Sequence, residues 1–301
     1  MLVGVAAVST STLIIQLLNA LLYAAILFLI AGGLSLVYGV MRIVNLAHGN
    51  LYALGAFVMA WAVGAAAAAS VPPLVLLLLL PAAALVVAVV GIVIEPILLR
   101  PLYNRAEEYQ LLMTFGLLLV LEDVTKFVWG PTPLAASSLW SAFGPVTILG
   151  SDYPSYNLLV IAIGLIAAAL LWAFVYRTKF GVMLRATSQD RRMALALGVN
   201  VRSVYVLAFA IGCLMAGLGG AVIVPIQPAQ LGMGVDALVL SFVVVVIGGL
   251  GSLEGALAGA FIVAVVRTLA ITFFPELELA VLYLMAALVL VTRPAGLFSR
   301  S

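Results

Sequence analysis

Long apolar runs, separated by short polar stretches, fill most of the chain. Residues within these runs do not alternate between apolar and polar, so the runs predict membrane helices and not the strands of a barrel. Nine candidate spans, plus or minus one, follow: 13–38, 47–69, 74–98, 111–129, 157–176, 203–224, 236–250, 256–272 and 279–292. Four glycines interrupt the stretch from 236 to 272, which is either two helices around a turn or one bent helix.

The expected fold is an all-α polytopic membrane protein of about 9 (8–10) transmembrane helices, one domain over residues 1–301. Composition supports this, since 66% of residues are apolar and 8% are charged, against roughly 25% charged in soluble domains. The single cysteine, Cys213, lies in an apolar run and is expected to be a buried thiol. A net charge of +2 gives no reason to expect a nucleic-acid partner.

Six basic residues and one acidic residue fall in the loop 177–202. Because cytoplasmic loops of membrane proteins carry an excess of lysine and arginine, this loop is predicted to be cytoplasmic. Alternation of the spans then places eleven of the thirteen basic residues on the same side, including those of the C-terminal tail, Arg293 and Arg300. The same alternation predicts an external N-terminus and a cytoplasmic C-terminus.

The segment 130–156 is external in this topology. It carries one charge, several prolines and the aromatic residues Trp140, Tyr153 and Tyr156. Such rings are typical of the membrane–water interface, so we expect them to anchor the segment there.

A short helix is predicted within the basic loop. Thr187 and Asp190 fit the Ser/Thr-x-x-Asp/Glu pattern of a helix start, and Gly198 fits a left-handed stop after roughly ten residues. Asn200 is then placed to cap the next membrane helix. Apolar residues four apart, Met193 and Leu197, share one face, which either lies on membrane lipid or docks into a groove of a soluble protein.

Four segments resemble one family of transport proteins. They read GLSLVYGVMRIVNLAHG at 33–49, LRATSQDRRMALALGVN at 184–200, IGGLGS at 247–252 and RPAGLF at 293–298. In this order they resemble the permease subunits of ABC importers for branched-chain amino acids, of the LivH type rather than the LivM type.

The resemblance implies an ABC importer transmembrane-domain fold in the bacterial plasma (inner) membrane. It also implies a second permease of LivM type, two cytoplasmic ATPases and an external amino-acid-binding protein. Whether the permease pair is homodimeric or heterodimeric stays open. The loop 177–202 becomes the coupling loop that inserts into an ATPase, with these coupling residues: Arg185, Gln189, Asp190, Arg191, Arg192, Ala194, Leu197 and Gly198.

The chain itself is not expected to be an enzyme or to bind a cofactor. It has no G-x-x-x-x-G-K-[ST] loop to hold phosphates, so ATP and magnesium are expected on the partner ATPases. Leucine, isoleucine and valine are the cargo that the resemblance implies; related importers carry urea, amides or other amino acids.

Polar residues around the first two spans are candidates for the translocation path or its gate: Tyr38, Asn45, His48 and Asn50. The alternative for His48 is a structural bond to neighbouring backbone. Members of the family often carry an acid where this chain has Asn50, which leaves a hydrogen-bonding role at that position. An intramembrane enzyme centred on His48 is disfavoured, because neither H-E-x-x-H nor G-x-S-x-G accompanies it.

Charges inside spans are expected to be paired. Glu122 and Lys126 are four residues apart and predict an ion pair, as do Glu95 and Arg100 near the cytoplasmic interface. Arg267 lies within a span and needs a partner that the sequence does not identify. An ion-coupled secondary transporter is the alternative function, and it would depend on mid-membrane carboxylates, for which Glu122 and its neighbour Asp123 are the candidates.

Two rows of small residues at intervals of four predict close helix packing: Gly212, Ala216 and Gly220, then Gly251, Gly255 and Gly259. These rows pack either within the chain or against the second permease.

Overall fold

The computed structural model describes residues 10–69 and 71–298. Residues before Thr10 and the predicted cytoplasmic Arg300 lie outside this part. The described residues form thirteen helices: α1 (Thr10–Met41), α2 (His48–Ala68), α3 (Pro73–Leu76), α4 (Leu79–Ile94), α5 (Glu107–Trp129), α6 (Ser137–Phe143), α7 (Ser155–Arg177), α8 (Lys179–Gln189), α9 (Arg191–Ala196), α10 (Val201–Ile223), α11 (Met233–Gly248), α12 (Leu253–Phe273) and α13 (Glu278–Thr292). A hairpin of β1 (Pro145–Ile148) and β2 (Ser151–Pro154) joins α6 to α7.

Each of the nine predicted spans corresponds to one helix or one continuous helical stretch. Seven of them are long and apolar enough to cross a membrane. The other two are α11, which has 16 residues, and α5, which has 23 residues but carries several charges. After α4 the span continues through a π-helical turn, Glu95–Leu99, and a short 3-10 turn, Arg100–Leu102. The chain is a multi-pass membrane protein.

The ambiguous stretch after residue 236 is two helices and not one bent helix. The turn between α11 and α12 contains Gly249 at φ 109 and Gly251 at φ 79, a left-handed region that favours glycine. The hydroxyl of Ser252 then accepts a hydrogen bond from the Gly255 amide at 3.0 Å and caps α12.

The C-terminal RPAGLF segment returns to the end of α11. The backbone N–H of Leu297 donates to the Ile247 carbonyl at 2.9 Å, and that of Phe298 donates to the Gly248 carbonyl at 3.1 Å. Carbonyls at a helix end have no partner within the helix, so this segment completes α11.

Helix α10 lies at the centre of the bundle, in contact with α1, α2 and α4. Its row of Gly212, Ala216 and Gly220 faces α1 and α2. A Cβ on Gly33 of α1 would lie 2.7 Å from the Gly212 carbonyl oxygen, and a Cβ on Gly220 would overlap the carbonyl oxygen of Tyr52. The backbones approach this closely because these positions lack side chains.

The second row makes two kinds of contact. Gly255 and Gly259 pack α12 against α11, and Gly251 packs the turn between these helices against α1. A Cβ on Gly255 would overlap the carbonyl of Gly248, and one on Gly259 would lie 3.1 Å from the Gly248 nitrogen. Gly251 instead faces α1, where a Cβ would lie 2.9 Å from the Cα of Gly39. These contacts of both rows lie within the chain.

The expectation that the aromatic residues of 130–156 anchor at the lipid interface is wrong for two of them. Tyr153 and Tyr156 are buried, and the Tyr156 hydroxyl donates to the Val222 carbonyl at 3.0 Å. The hairpin was also not predicted. It forms because a turn with positive φ at Leu149 and Gly150 pairs two short strands, which fold the segment back onto the bundle.

Gly220→Ala is expected to destabilise the bundle, because the added methyl group overlaps the backbone of α2. Overpacking of this kind costs about 1–3 kcal/mol, seen as a lower thermal unfolding midpoint of the purified protein. Gly116→Ala on α5 is the matched control, because its Cβ would meet nothing within 4 Å. An equal loss of stability in both variants would contradict the close contact.

Candidate functional site

Helix α2 begins inside the bundle rather than at its edge. Residues 42–47 after α1 are not helical, yet Ile43, Asn45 and Ala47 are buried. The ring of His48, the first residue of α2, reaches the carbonyl of Ile30. Since Ile30 lies eleven residues before the end of α1, the chain returns about 16 Å along that helix. Non-helical backbone at such depth is tolerated only where protein covers it.

The start of α2 meets the start of α11. A Cβ on Gly49 would overlap the carbonyl oxygen of Gly234, so the two helix N-termini touch through their backbones. Glu122 of α5 lies between them: its Oε1 accepts from the Gly232 amide at 2.8 Å and its Oε2 from Asn50 Nδ2 at 3.1 Å. Asn50 Nδ2 also donates to the Leu118 carbonyl at 2.7 Å. A carboxylate is stabilised there by the positive ends of two helix dipoles.

The predicted ion pair between Glu122 and Lys126 does not form. The two ion pairs among the described residues are Arg100–Glu95 and Arg267–Glu278. Glu122 instead faces α2 and α11, where it accepts from the Gly232 amide and from the Asn50 side chain. Lys126 is exposed.

The four residues predicted to line a path or gate point in different directions. His48 donates from Nε2 to the Ile30 carbonyl at 3.0 Å, since a carbonyl only accepts. Asn45 Oδ1 accepts from the Ala47 amide at 3.1 Å within its own turn, while Asn50 faces α5. Tyr38 is half-buried at the end of α1, beside the turn between α11 and α12. Their path or gate role stays a prediction.

Helices α8 and α9 form an arm at one end of the bundle. Arg185 fixes α8 to α7 by donating to the Val175 carbonyl and by stacking 5.2 Å from the ring centroid of Tyr176. Asp190 caps α9, because its Oδ1 accepts from the amides of Arg192 at 2.8 Å and Met193 at 2.9 Å.

The predicted helix start at Thr187 is wrong, because Thr187 belongs to the preceding helix, α8. Thr187 lies inside α8, where its hydroxyl donates to the Met183 carbonyl at 2.8 Å, and Asp190 alone caps the next helix. Helix α9 is therefore six residues long, not about ten. Gly198 at φ 82 confirms the predicted left-handed stop, and Asn200 caps α10 through the Ser203 amide at 3.2 Å, as predicted.

The outer surface of α9 and the residue after it is apolar. Met193, Leu195 and Leu197 are 57%, 52% and 75% exposed, and Arg192 beside them is exposed as well. Ala194 is buried against the chain itself, so it belongs to the attachment of α9 and not to its free surface.

A series of aromatic and ionic side-chain contacts connects α9 to the end of α4. Arg191 lies 5.7 Å from the ring centroid of Tyr205 on α10, and that ring packs edge-on against Tyr103 at 4.9 Å. The Tyr103 hydroxyl donates to buried Glu95, whose predicted pair with Arg100 is confirmed at 2.9 Å. Burial, and then the hydrogen bond to Glu95, raise the pKa of Tyr103, so it stays a neutral donor. Sequence spacing did not identify the two tyrosines.

A cavity of about 260 Å³ lies where the arm meets the bundle. Its lining includes Arg185 and Gln189 of α8, Ser35 of α1 and Gly251 of the turn between α11 and α12. Ser35 also donates to the Ser252 carbonyl at 3.0 Å. Three of the segments noted in the sequence, 33–49, 184–200 and 247–252, therefore meet at this cavity.

Arg267 has the partner that its position required. Its Nε donates to the carboxylate of Glu278 at the start of α13, and its guanidinium lies 4.3 Å from the ring centroid of Tyr23. Sequence spacing missed this pair, because Glu278 belongs to the following helix and Tyr23 to the first.

A model of one protein family matches most of the chain. The family described as branched-chain amino acid transport system / permease component matches residues 16–291. The high-affinity branched-chain amino acid transport system permease protein LivH of Salmonella typhimurium is 26% identical over 95% of both chains. BraD of Pseudomonas aeruginosa, named in the same way, is 27% identical over 95% of both. The solved structure of PsaBC from Streptococcus pneumoniae in complex with Fab aligns with 91% of this chain and 89% of its own at 13% identity and a TM-score of 0.45.

Glu122→Ala is expected to lower the thermal stability of the purified protein, because it leaves the Gly232 amide without its acceptor and leaves Asn50 Nδ2 with the Leu118 carbonyl alone. Buried donors without partners cost about 1–3 kcal/mol each. Asp123→Ala is the matched control, since Asp123 is adjacent but exposed. Equal unfolding midpoints for the two variants would show that the carboxylate does not hold the helix starts.

Proposed function

Because the chain belongs to the family of permease components of branched-chain amino acid transport systems, we propose that it is the membrane subunit of an ATP-driven importer of amino acids. Leucine, isoleucine and valine are the proposed cargo, with other amino acids, amides and urea as the alternatives. The subunit alternates between outward and inward access, and nucleotide binding on its partners shifts that equilibrium.

The exposed apolar surface of α9 carries this proposal. A helix capped at both ends presents Met193, Leu195 and Leu197 outward, on an arm whose base is fixed to α7 and α10. Apolar anchors along one short helix are the usual means of docking into a groove on a partner. The proposed partner is an ATPase subunit, because the sequence contains no phosphate-binding loop of its own.

The charge pattern supports the orientation that we propose. The loop around the arm carries six of the thirteen basic residues, which favours the cytoplasm for α8, α9 and the C-terminus and the outside for the N-terminus and the hairpin. In the complex, two ATPases bind ATP and magnesium, a second permease of LivM type or a second copy pairs with this chain, and an external binding protein delivers the cargo. The membrane is the plasma membrane.

The geometry of Glu122 favours this function over an ion-coupled transporter. Both carboxylate oxygens already accept hydrogen bonds, from Gly232 and from Asn50. A carboxylate that carries a coupling proton would become a weaker acceptor, so these bonds would weaken in every cycle.

Leu197→Asp is expected to weaken binding of the ATPase subunits about tenfold or more, because it places a charge on the apolar anchor. Co-purification of the ATPases with the co-expressed complex, and ATP-dependent leucine uptake in proteoliposomes, measure the effect. Leu149→Asp is the matched control at the hairpin, where Leu149 is 64% exposed. Normal co-purification and uptake with Leu197→Asp would overturn the coupling role of α9.

His48→Ala is expected to leave the complex assembled but to reduce uptake, because it removes the contact that places the start of α2 against α1. His48→Gln keeps a donor for the Ile30 carbonyl and is expected to restore most of the uptake. Unchanged uptake with His48→Ala would show that the contact is packing alone.

The proposed function as a whole has a direct test. The reconstituted complex with its binding protein should accumulate leucine only when ATP is present on the side of the membrane where the ATPases lie. Accumulation against a gradient by this chain alone, without nucleotide, would overturn the proposal and support an ion-coupled transporter.

A further inference from the structure

Two neighbouring cavities lie near the opposite end of the bundle from the arm. Their volumes are about 250 and 310 Å³, and both are lined by Tyr23 and Ile26 of α1, Ile223 of α10 and Gln227. We call the two together the Arg267 cavity. Arg267 follows the start of α12 by fourteen residues, which places it about 20 Å from the arm end of that helix. The volumes suit a small solute, since pockets for larger ligands reach about 1,000 Å³.

The Arg267 cavity carries one positive and one negative side chain. Arg267 and Asp236 both line it. Glu278 takes only Nε of the guanidinium, one of its five N–H donors, so the terminal nitrogens remain able to hold a carboxylate. Asp236 takes part in neither of the two ion pairs found among the described residues. Asp236 is exposed in the first turn of α11, so its carboxylate is accessible to a charged ligand in this cavity.

Thr268 adds a polar group that has no partner. It lines the neighbouring cavity of about 310 Å³, which shares Tyr23 and Gln227 with the cavity that contains Arg267 and Asp236. Thr268 is 5% exposed, and its Oγ1 makes no hydrogen bond in the part of the chain that the structure describes. Its neighbour one turn on, Thr272, instead donates back to the Thr268 carbonyl at 2.7 Å. A buried hydroxyl without a partner costs free energy, so a ligand or water that bonds it is favoured.

The rest of the lining is mixed, because the amides of Gln227 and Gln230 and the rings of Tyr23 and Tyr52 lie beside aliphatic side chains. Ile26, Leu27, Ile30, Ile223 and Leu240 line the part that contains Arg267 and Asp236. A cavity with an acid, a base and aliphatic side chains among its polar groups can hold a small zwitterion that has an aliphatic side chain.

From this arrangement we infer that the Arg267 cavity is a binding site for the transported amino acid within the membrane, and that it selects zwitterions with branched aliphatic side chains. The Asp236 carboxylate receives the ammonium group, the terminal nitrogens of Arg267 donate to the carboxylate, and Thr268 adds a hydrogen bond. The inference rests on the proposed function, because it takes the cargo to be an amino acid.

Equilibrium binding of radiolabelled L-leucine tests the site directly. The complete permease–ATPase complex is placed in phosphatidylglycerol nanodiscs, without the external binding protein and without zwitterionic lipid. Saturable binding is expected, with competition by unlabelled leucine. We expect 4-methylpentanoate, which lacks the ammonium group, and isopentylamine, which lacks the carboxylate, to compete about tenfold or more weakly, the effect of losing a charge-assisted hydrogen bond.

Asp236→Asn should assign the ammonium contact. We expect it to weaken leucine binding about tenfold or more and to leave competition by 4-methylpentanoate unchanged, because that analogue has no ammonium to lose. Glu276→Gln is the matched control, an exposed acid that precedes α13. An equal effect on leucine and 4-methylpentanoate, or none on leucine, would overturn the assignment.

Thr268→Val, which keeps the shape of the side chain, should weaken leucine binding several-fold, and Thr272→Val should not.

Absence of saturable leucine binding to the wild-type complex, while the same preparation with binding protein imports leucine with ATP, would overturn this inference and leave the proposed function standing. Failure of ATP-dependent leucine import despite saturable binding would count against the proposed function alone.

Discussion

The contact between the starts of α2 and α11 is the feature on which the rest of the structure depends. Backbone donors have no water to bond inside a membrane, so a helix that begins there needs a partner from protein. Glu122 supplies it, by accepting from Gly232 and from Asn50 while two positive helix ends surround its charge. Because α2 and α11 start at this depth, Tyr52 and Met233, near those starts, line the Arg267 cavity.

The same helices connect the two ends of the bundle. Helix α1 carries Ser35 at the cavity beside the arm and Tyr23 at the Arg267 cavity, and α12 begins at the first cavity and carries Arg267 at the second. Glycine contacts hold α1 backbone to backbone against α10 and against the turn before α12. Contacts without long side chains leave little free space between these helices.

The sequence predicted the helices well, but it predicted the partners of only some charged side chains. Every span was found, since hydropathy follows directly from the bilayer, and the Glu95–Arg100 pair was found because the two residues are only five positions apart. Spacing within a helix could not reveal that Glu122 faces two other helices. It also could not reveal that Tyr156 turns inward, because a tyrosine beside a membrane span fits the lipid interface and the protein interior equally well.

The residue after Ala-His-Gly shows how one position depends on a distant helix. An acid at position 50 would place a second carboxylate beside Glu122, where Asn50 Nδ2 now lies 3.1 Å from Oε2. Two carboxylates at that distance do not both stay ionised, so one would have to hold a proton. This chain has an amide at position 50 and the charge on α5, which keeps a single negative group between the helix starts. The hydrogen-bonding role expected for Asn50 is therefore the donor half of a pair whose acceptor is Glu122.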